Sequence, residues 1–175
     1  MVNSVEREAR QEYRGLKIKP GQVSGVSSKN VFVLIMYVVI RSRGASDWDL
    51  GRDCKKLFEI DPEQMQLHHI FPSNFIMAEK AAKNVYKDNG WSDAEFRADV
   101  NDIANLTFLS QGRNNDIRDN DPRIYLPQCT TREIRKAHFI PEDPDLWKPD
   151  KLRDFLEERR RLLAKAMTSF LRKLR

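Results

Sequence analysis

Two adjacent histidines, His68 and His69, stand in the run Gln66-Leu67-His68-His69-Ile70-Phe71-Pro72. A neutral imidazole can take a proton from water near pH 7, and it can ligate a divalent cation through either ring nitrogen. Leu67, Ile70 and Phe71 suit a strand, and Pro72 cannot donate to a ladder, so the run reads as a strand that stops at the proline. Successive strand side chains point to opposite faces, so the two imidazoles cannot both be core residues of one face. Either one looks outward or both line a cleft at the strand end. Taken alone, such a pair reads as polar surface. Two asparagines change its context. Asn105 opens a second apolar strand, Leu106-Thr107-Phe108-Leu109-Ser110, and Asn114 begins a short helix after the turn Gln111-Gly112-Arg113. Singly, Asn105 reads as a turn residue at a strand start and Asn114 as a helix cap. The information lies in their order and in the nine positions between them.

That ordered set resembles the ββα-metal nucleases, also called HNH or His-Me finger enzymes, with His69, Asn105 and Asn114 at the three signature positions. The flanks narrow the likeness. His68-His69-Ile70-Phe71-Pro72, Ile103-Ala104-Asn105-Leu106-Thr107-Phe108-Leu109-Ser110, Asn114-x-x-Ile117 and Asp121-Pro122-x-x-Tyr125-Leu126 together look like the C-terminal nuclease modules of GmrSD-type, modification-dependent restriction enzymes. Arg43-Gly44-Ala45 before the motif agrees with them, as do His138-Phe139-Ile140-Pro141, Leu146-Trp147 and the Arg-rich last helix after it.

The resemblance implies a metal-dependent DNA endonuclease acting in prokaryotic restriction or anti-phage defence. It makes His69 the general base, His68 and Asn114 metal ligands, and Asn105 the residue that holds the histidine-bearing loop by hydrogen bonding. Arg113 and Arg118, flanking the motif helix, are candidates for phosphate contact, with solvent exposure the plain alternative. A site with few protein ligands and no thiolate favours Mg2+ or Mn2+. His68 stands where Mg2+-using relatives often carry an acid, which keeps Ni2+ and Zn2+ in view. In the resembling enzymes this module follows a nucleotide-binding domain, so an attached or partner domain of that kind is a further expectation.

Positioning these residues requires a small ββα core inside a largely helical, α+β chain. Residues 29–42 predict a helix capped by Ser27 or Ser28 and stopped at Gly44; apolar on all sides, it belongs in the core. Residues 48–58 predict a second helical stretch with Leu50, Leu57 and Phe58 turned inward. Phe75, Ala78, Ala82, Val85 and Tyr86 give residues 74–89 one helical period ending at Asn89-Gly90, and Ser92-Asp93-Ala94-Glu95 is a capping box. The gap between the two strands therefore carries helices of its own. Pro122 and Pro127 punctuate the chain after the motif helix, and Pro141, Pro144 and Pro149 hold a turn-rich connector. Residues 152–174 are the clearest helix. Leu152, Phe155, Leu156, Leu163, Met167, Phe170, Leu171 and Leu174 form its apolar stripe, and Arg159, Arg160, Arg161, Lys165, Arg172 and Lys173 a solvated or phosphate-contacting face. His138 reads as structural, and Trp48, Trp91 and Trp147 as packing residues.

Composition sets the outer bounds. The 175 residues suit one domain with an arm, divided here into an arm or linker over 1–27 and the endonuclease domain over 28–175. A net charge of +5 is compatible with a DNA partner. Cys54 and Cys129 are distant and form no Cys-x-x-Cys, so a reducing cytoplasm is the expected setting. The longest apolar run, residues 31–40, is half of what a bilayer requires. Two other functions fit the same residues: a non-cleaving nucleic-acid-binding module, and a partner-docking domain of a larger restriction protein.

Overall fold

The structure is a computed structural model and describes residues 17–25, 29–48 and 54–173. Its centre is a two-stranded antiparallel sheet of β1 (Met65–His69) and β2 (Leu106–Ser110), paired from Met65↔Ser110 to His69↔Leu106. This register sorts the side chains. Met65, Leu67, Leu106 and Phe108 share one face, and Gln66, His68, Thr107 and Leu109 the other. Phe108 packs on Tyr37, with ring centroids 4.8 Å apart. Beneath the other face lie Trp48, Tyr125 and His138.

Short helices surround the sheet. In chain order they are α1 (Pro20–Val23), α2 (Val31–Ser42), α3 (Ser73–Ala78), α4 (Lys80–Asp88), α5 (Asp93–Val100), α6 (Gln111–Ile117), α7 (Pro122–Cys129), α8 (Arg132–Ala137) and α9 (Leu152–Lys173). Several boundaries differ from the sequence reading. The cap of α2 is Asn30, whose Oδ1 accepts from Phe32 N–H at 3.0 Å. One face of α2 is solvent-exposed at Val31, Leu34 and Val38, so the helix is not buried all round. Among the described residues of 48–58 there is a bridge, Ser46↔Lys56, and a 3-10 turn at Leu57–Glu59. Leu57 is buried but Phe58 faces out at 55%; Leu50 lies outside the described residues.

The single helix expected over 74–89 breaks at Glu79. The break turns Ala78 outward, while Ile76, Ala82 and Tyr86 stay buried. The Ser92 capping box forms as its residues dictate: Ser92 Oγ accepts from Glu95 N–H at 3.2 Å. No turn separates β2 from α6. Ser110 Oγ caps the helix directly by accepting from Arg113 N–H at 3.2 Å, so Gln111 and Gly112 are already helical. Asp121 then caps α7, where Pro122 occupies the first helical turn and its missing N–H costs no bond. Pro122 thus starts a helix, and Pro127 lies within it.

Helix α9 supports the whole assembly. Leu152, Phe155, Leu156, Leu163 and Met167 are buried, and Phe155 meets Phe71 edge-on at 5.0 Å. Arg159 departs from the expected solvated face, being fully buried. Its Nη1 donates to the carbonyl oxygens of Ile103, Ala104 and Leu106 at 3.2, 2.8 and 2.7 Å, and Nη2 to His138 O at 3.2 Å. Burial lowers its pKa to about 9, which still leaves it charged at neutral pH. Arg160 is also drawn inward, to Asp102 at 2.9 Å and Asp99 at 3.3 Å. Arg161, Lys165, Arg172 and Lys173 remain exposed. Residues 17–25, read as a linker, dock on α9: Ile18 and Val23 are buried, and Ile18 N–H donates to Thr168 Oγ1 at 3.0 Å.

Candidate active site

β1 delivers the two histidines to one cleft from opposite faces of the sheet. His68 lies opposite Thr107 and is buried, with its Nδ1 2.8 Å from Asn114 Oδ1 and its Nε2 3.3 Å from Tyr125 Oη. Asn114 projects from α6, and its Nδ2 donates to Gln66 Oε1 at 2.8 Å. That bond turns the amide oxygen toward the imidazole. Burial is the largest influence on His68 and lowers its pKa to about 4, so the ring is neutral at pH 7.

His69 is the last residue of β1 and only half-buried. Its Nε2 lies 3.4 Å from Asn101 Oδ1, and the Asn101 amide is oriented by Nδ2 donating to Arg97 O at 2.9 Å. An amide oxygen only accepts, so Nε2 carries the proton and Nδ1 is the basic nitrogen. Burial lowers this pKa also.

Both imidazoles line a cleft of about 500 Å3, together with Leu67, Ser73, Asn74, Asn114, Asn115, Arg118 and Asp119. Asn74 Nδ2 donates to Asp119 Oδ2 at 3.1 Å across it. Arg118 ends α6 with φ at +49°, a region that disfavours any side chain. Arg113, the other arginine candidate, does not line this cleft; it pairs with Asp116 at 3.2 Å.

Asn105 lies behind the cleft, fully buried. Its side chain accepts from Phe71 N–H at 2.8 Å and donates to Phe71 O at 3.0 Å and Val100 O at 2.8 Å. Its own carbonyl accepts from Ile70 N–H at 2.8 Å. The two residues that follow His69 are thus tied to the start of β2. His138 is buried with Thr107 Oγ1 at Nδ1 (2.9 Å) and Ser46 O at Nε2 (2.7 Å). Both nitrogens are satisfied, as a structural histidine requires.

Sequence reasoning assigned no role to Tyr125, Asn101, Asn74 or Asp119. Tyr125 carried a signal, since Asp121-Pro122 predicts a helix start and places the tyrosine one turn inside it. The other three reach the site only through the packing of α3, α5 and α6. A cation here would find an imidazole nitrogen and an amide oxygen already side by side, with the Asp119 carboxylate lining the same cleft. Among the described residues no group of three or more His, Cys, Asp or Glu side chains is placed to hold a metal ion. Such a donor set leaves room for water and other oxygen ligands.

Comparison with curated proteins and with solved structures finds no match. The family model described as GmrSD restriction endonucleases, C-terminal domain, matches residues 28–166, most of the chain. The chain belongs to that family, whose members' name makes this a restriction endonuclease module.

Proposed function

We propose that the protein is a metal-dependent DNA endonuclease of the His-Me finger type, hydrolysing phosphodiester bonds in prokaryotic restriction or anti-phage defence within the cytoplasm. The observation that carries the reading is the convergence of His68, His69 and Asn114 on one cleft, with the His68 and Asn114 donor atoms 2.8 Å apart. His69 is the general base. Its Nδ1 takes a proton from water as the water oxygen attacks phosphorus, the bond from phosphorus to the 3′ oxygen breaks, and solvent supplies the proton that oxygen needs. Asn101 keeps the ring in the tautomer this transfer uses. Because burial lowers the His69 pKa below its ordinary value, the neutral ring with Nδ1 bare predominates at pH 7.

His68 and Asn114 would hold the divalent cation, which when bound supplies Lewis-acid neutralisation of the phosphate and the departing oxygen. Mg2+ and Mn2+ fit the oxygen-rich donors best, with Ni2+ and Zn2+ the competitors that an imidazole admits. Asn105 keeps the turn after His69 from moving away from the cleft. Arg118, at the cleft wall, contacts a substrate phosphate, whereas Arg113 is held by Asp116. A nucleotide-binding restriction domain, attached or separate, is the partner that would direct the cut.

The test is plasmid nicking by wild type and His69→Ala across Mg2+, Mn2+, Ni2+ and Zn2+ with a chelator control. The expected result is ion-dependent nicking that falls by about 100-fold or more in His69→Ala. Undiminished cutting in excess chelator, or by His69→Ala, sinks the mechanism. Retained DNA binding without cleavage in any ion moves the assignment to a binding module.

A further inference from the structure

We infer that Tyr125 is a positioning residue for the cation-bound state: its oxygen accepts from His68 Nε2–H when the Nδ1 lone pair and the Asn114 amide oxygen share a divalent cation. The inference rests on the cation-dependent reading above and adds a residue to it.

The argument is one of hydrogen-bond polarity. Tyr125 Oη donates to the Ile70 carbonyl oxygen at 2.6 Å, and a carbonyl can only accept. The phenol's single proton is committed there. What it turns toward His68 Nε2, at 3.3 Å, is an oxygen lone pair. That contact is attractive only when Nε2 carries hydrogen. At the opposite edge of the ring, Nδ1 lies 2.8 Å from Asn114 Oδ1. A neutral imidazole has one proton for these two sites. With the proton on Nδ1, the ring bonds to Asn114 and sets a bare nitrogen against the tyrosine oxygen. With the proton on Nε2, the ring bonds to Tyr125, and a nitrogen and an oxygen lone pair converge at the cleft. The second arrangement repels itself when empty and becomes a donor pair when a cation is shared. Tyr125 therefore accepts the proton-bearing edge of the ring that the cation-bound state requires.

The phenol is held for this task. Its ring is buried, lies roughly parallel to Trp48 with centroids 6.0 Å apart, and meets His68 edge-on at 5.9 Å. Its bond to Ile70 ties it to the turn directly after His69. An outer partner of this kind fixes which nitrogen of a histidine faces a metal, and removing one weakens metal binding by about 10- to 100-fold.

The experiment compares Tyr125→Phe with its parent, both carrying His69→Ala so that binding is read without turnover. Calorimetric titration with Mn2+ gives affinity, and 15N-resolved NMR of the His68 ring, with and without Mg2+, gives the tautomer. Tyr125→Phe is expected to bind Mn2+ about 10- to 100-fold more weakly and to need correspondingly more Mg2+ to move His68 from Nδ1–H to Nε2–H. A merely structural tyrosine would lower the melting temperature without changing the Mn2+ affinity or the Mg2+ needed to move the tautomer. Equal affinity with an unchanged Mg2+ requirement overturns the inference and leaves the cation reading standing. Absence of Mn2+ binding in the parent overturns the cation reading and, with it, the inference. If Tyr125→Phe fails to fold, 3-fluorotyrosine placed at position 125 keeps the phenol but weakens its oxygen as an acceptor. A smaller shift in the same direction then supports the inference, and no shift overturns it.

Discussion

Trp48 is flanked by two buried histidines, His68 and His138, at centroid distances of 5.4 and 5.5 Å. Burial lowers the pKa of each to about 4. By exposure and titration they are nearly alike, yet their nitrogens are used differently. His138 accepts at Nδ1 from the Thr107 hydroxyl and donates from Nε2 to the Ser46 carbonyl, both inside the core. His68 has its Nδ1 against an amide that lines a cleft and its Nε2 against a phenol already donating elsewhere. The first ring is closed. The second has one edge whose partner can be shared with a ligand. Burial alone does not separate a structural imidazole from a chemical one; the accessibility of the partner does.

Paired substitutions test that distinction most severely. His138→Ala removes a buried ring and leaves the Thr107 hydroxyl and the Ser46 carbonyl without their partner, which is expected to cost about 2–4 kcal/mol. Mn2+ affinity per folded molecule should stay at the wild-type value. His68→Ala should do the reverse, abolishing cation binding with a smaller loss of stability. Urea unfolding and calorimetric titration read the two quantities. Equal loss of affinity in both variants would erase the contrast.

Acid sharpens the comparison further. A histidine with pKa about 4 when folded and near 6.5 when unfolded takes up its proton first in the unfolded chain. Its contribution is complete above pH 6.5 and is lost as the pH falls toward 4, roughly 3 kcal/mol for one such group. Wild type should therefore lose stability steeply across that window. His138→Ala lacks one of these groups and should show a shallower fall. A slope identical to wild type, measured by urea midpoints from pH 7 to 4, removes His138 as an acid-sensitive contact.

The two rings also mark what the sequence carries. Local signals were clear: Pro72 closing the histidine run, Ser92 opening a capping box, and Asn105 and Asn114 framing β2. His68 and His69 diverge because strand geometry leaves them no alternative. Other features depend on distant chain. Whether residues 74–89 make one helix or two is decided at Glu79 by packing, and the turn expected at Gln111 and Gly112 is pre-empted by the Ser110 cap. The burial of Arg159 is legible in the sequence, against the solvated face expected for it. It lies one turn from both Phe155 and Leu163, inside the apolar stripe, and its charge disguised a position that periodicity places in the core. No spacing rule brings Tyr125 to His68 or Asn101 to His69, since those contacts form only when α7 and α5 pack against β1.

The smallest expected effect concerns the cleft wall. Arg118 keeps a side chain at φ +49°, ψ −127°, a conformation that glycine adopts without strain. Its side chain donates from Nε to Asn115 O at 3.2 Å, a contact that does not by itself explain why an arginine should occupy the position. The proposed contact of its guanidinium with a substrate phosphate at the cleft would explain it. Arg118→Gly then separates the two demands. Stability should rise by up to about 1 kcal/mol as the strain is relieved, partly offset by the greater freedom of glycine in the unfolded chain. DNA affinity should fall a few-fold, and the salt dependence of binding should weaken by about one phosphate contact. Unchanged affinity and salt slope would leave Arg118 without a part in substrate binding. A loss of stability instead of a gain would mean that the side chain packs more favourably than its backbone angle suggests.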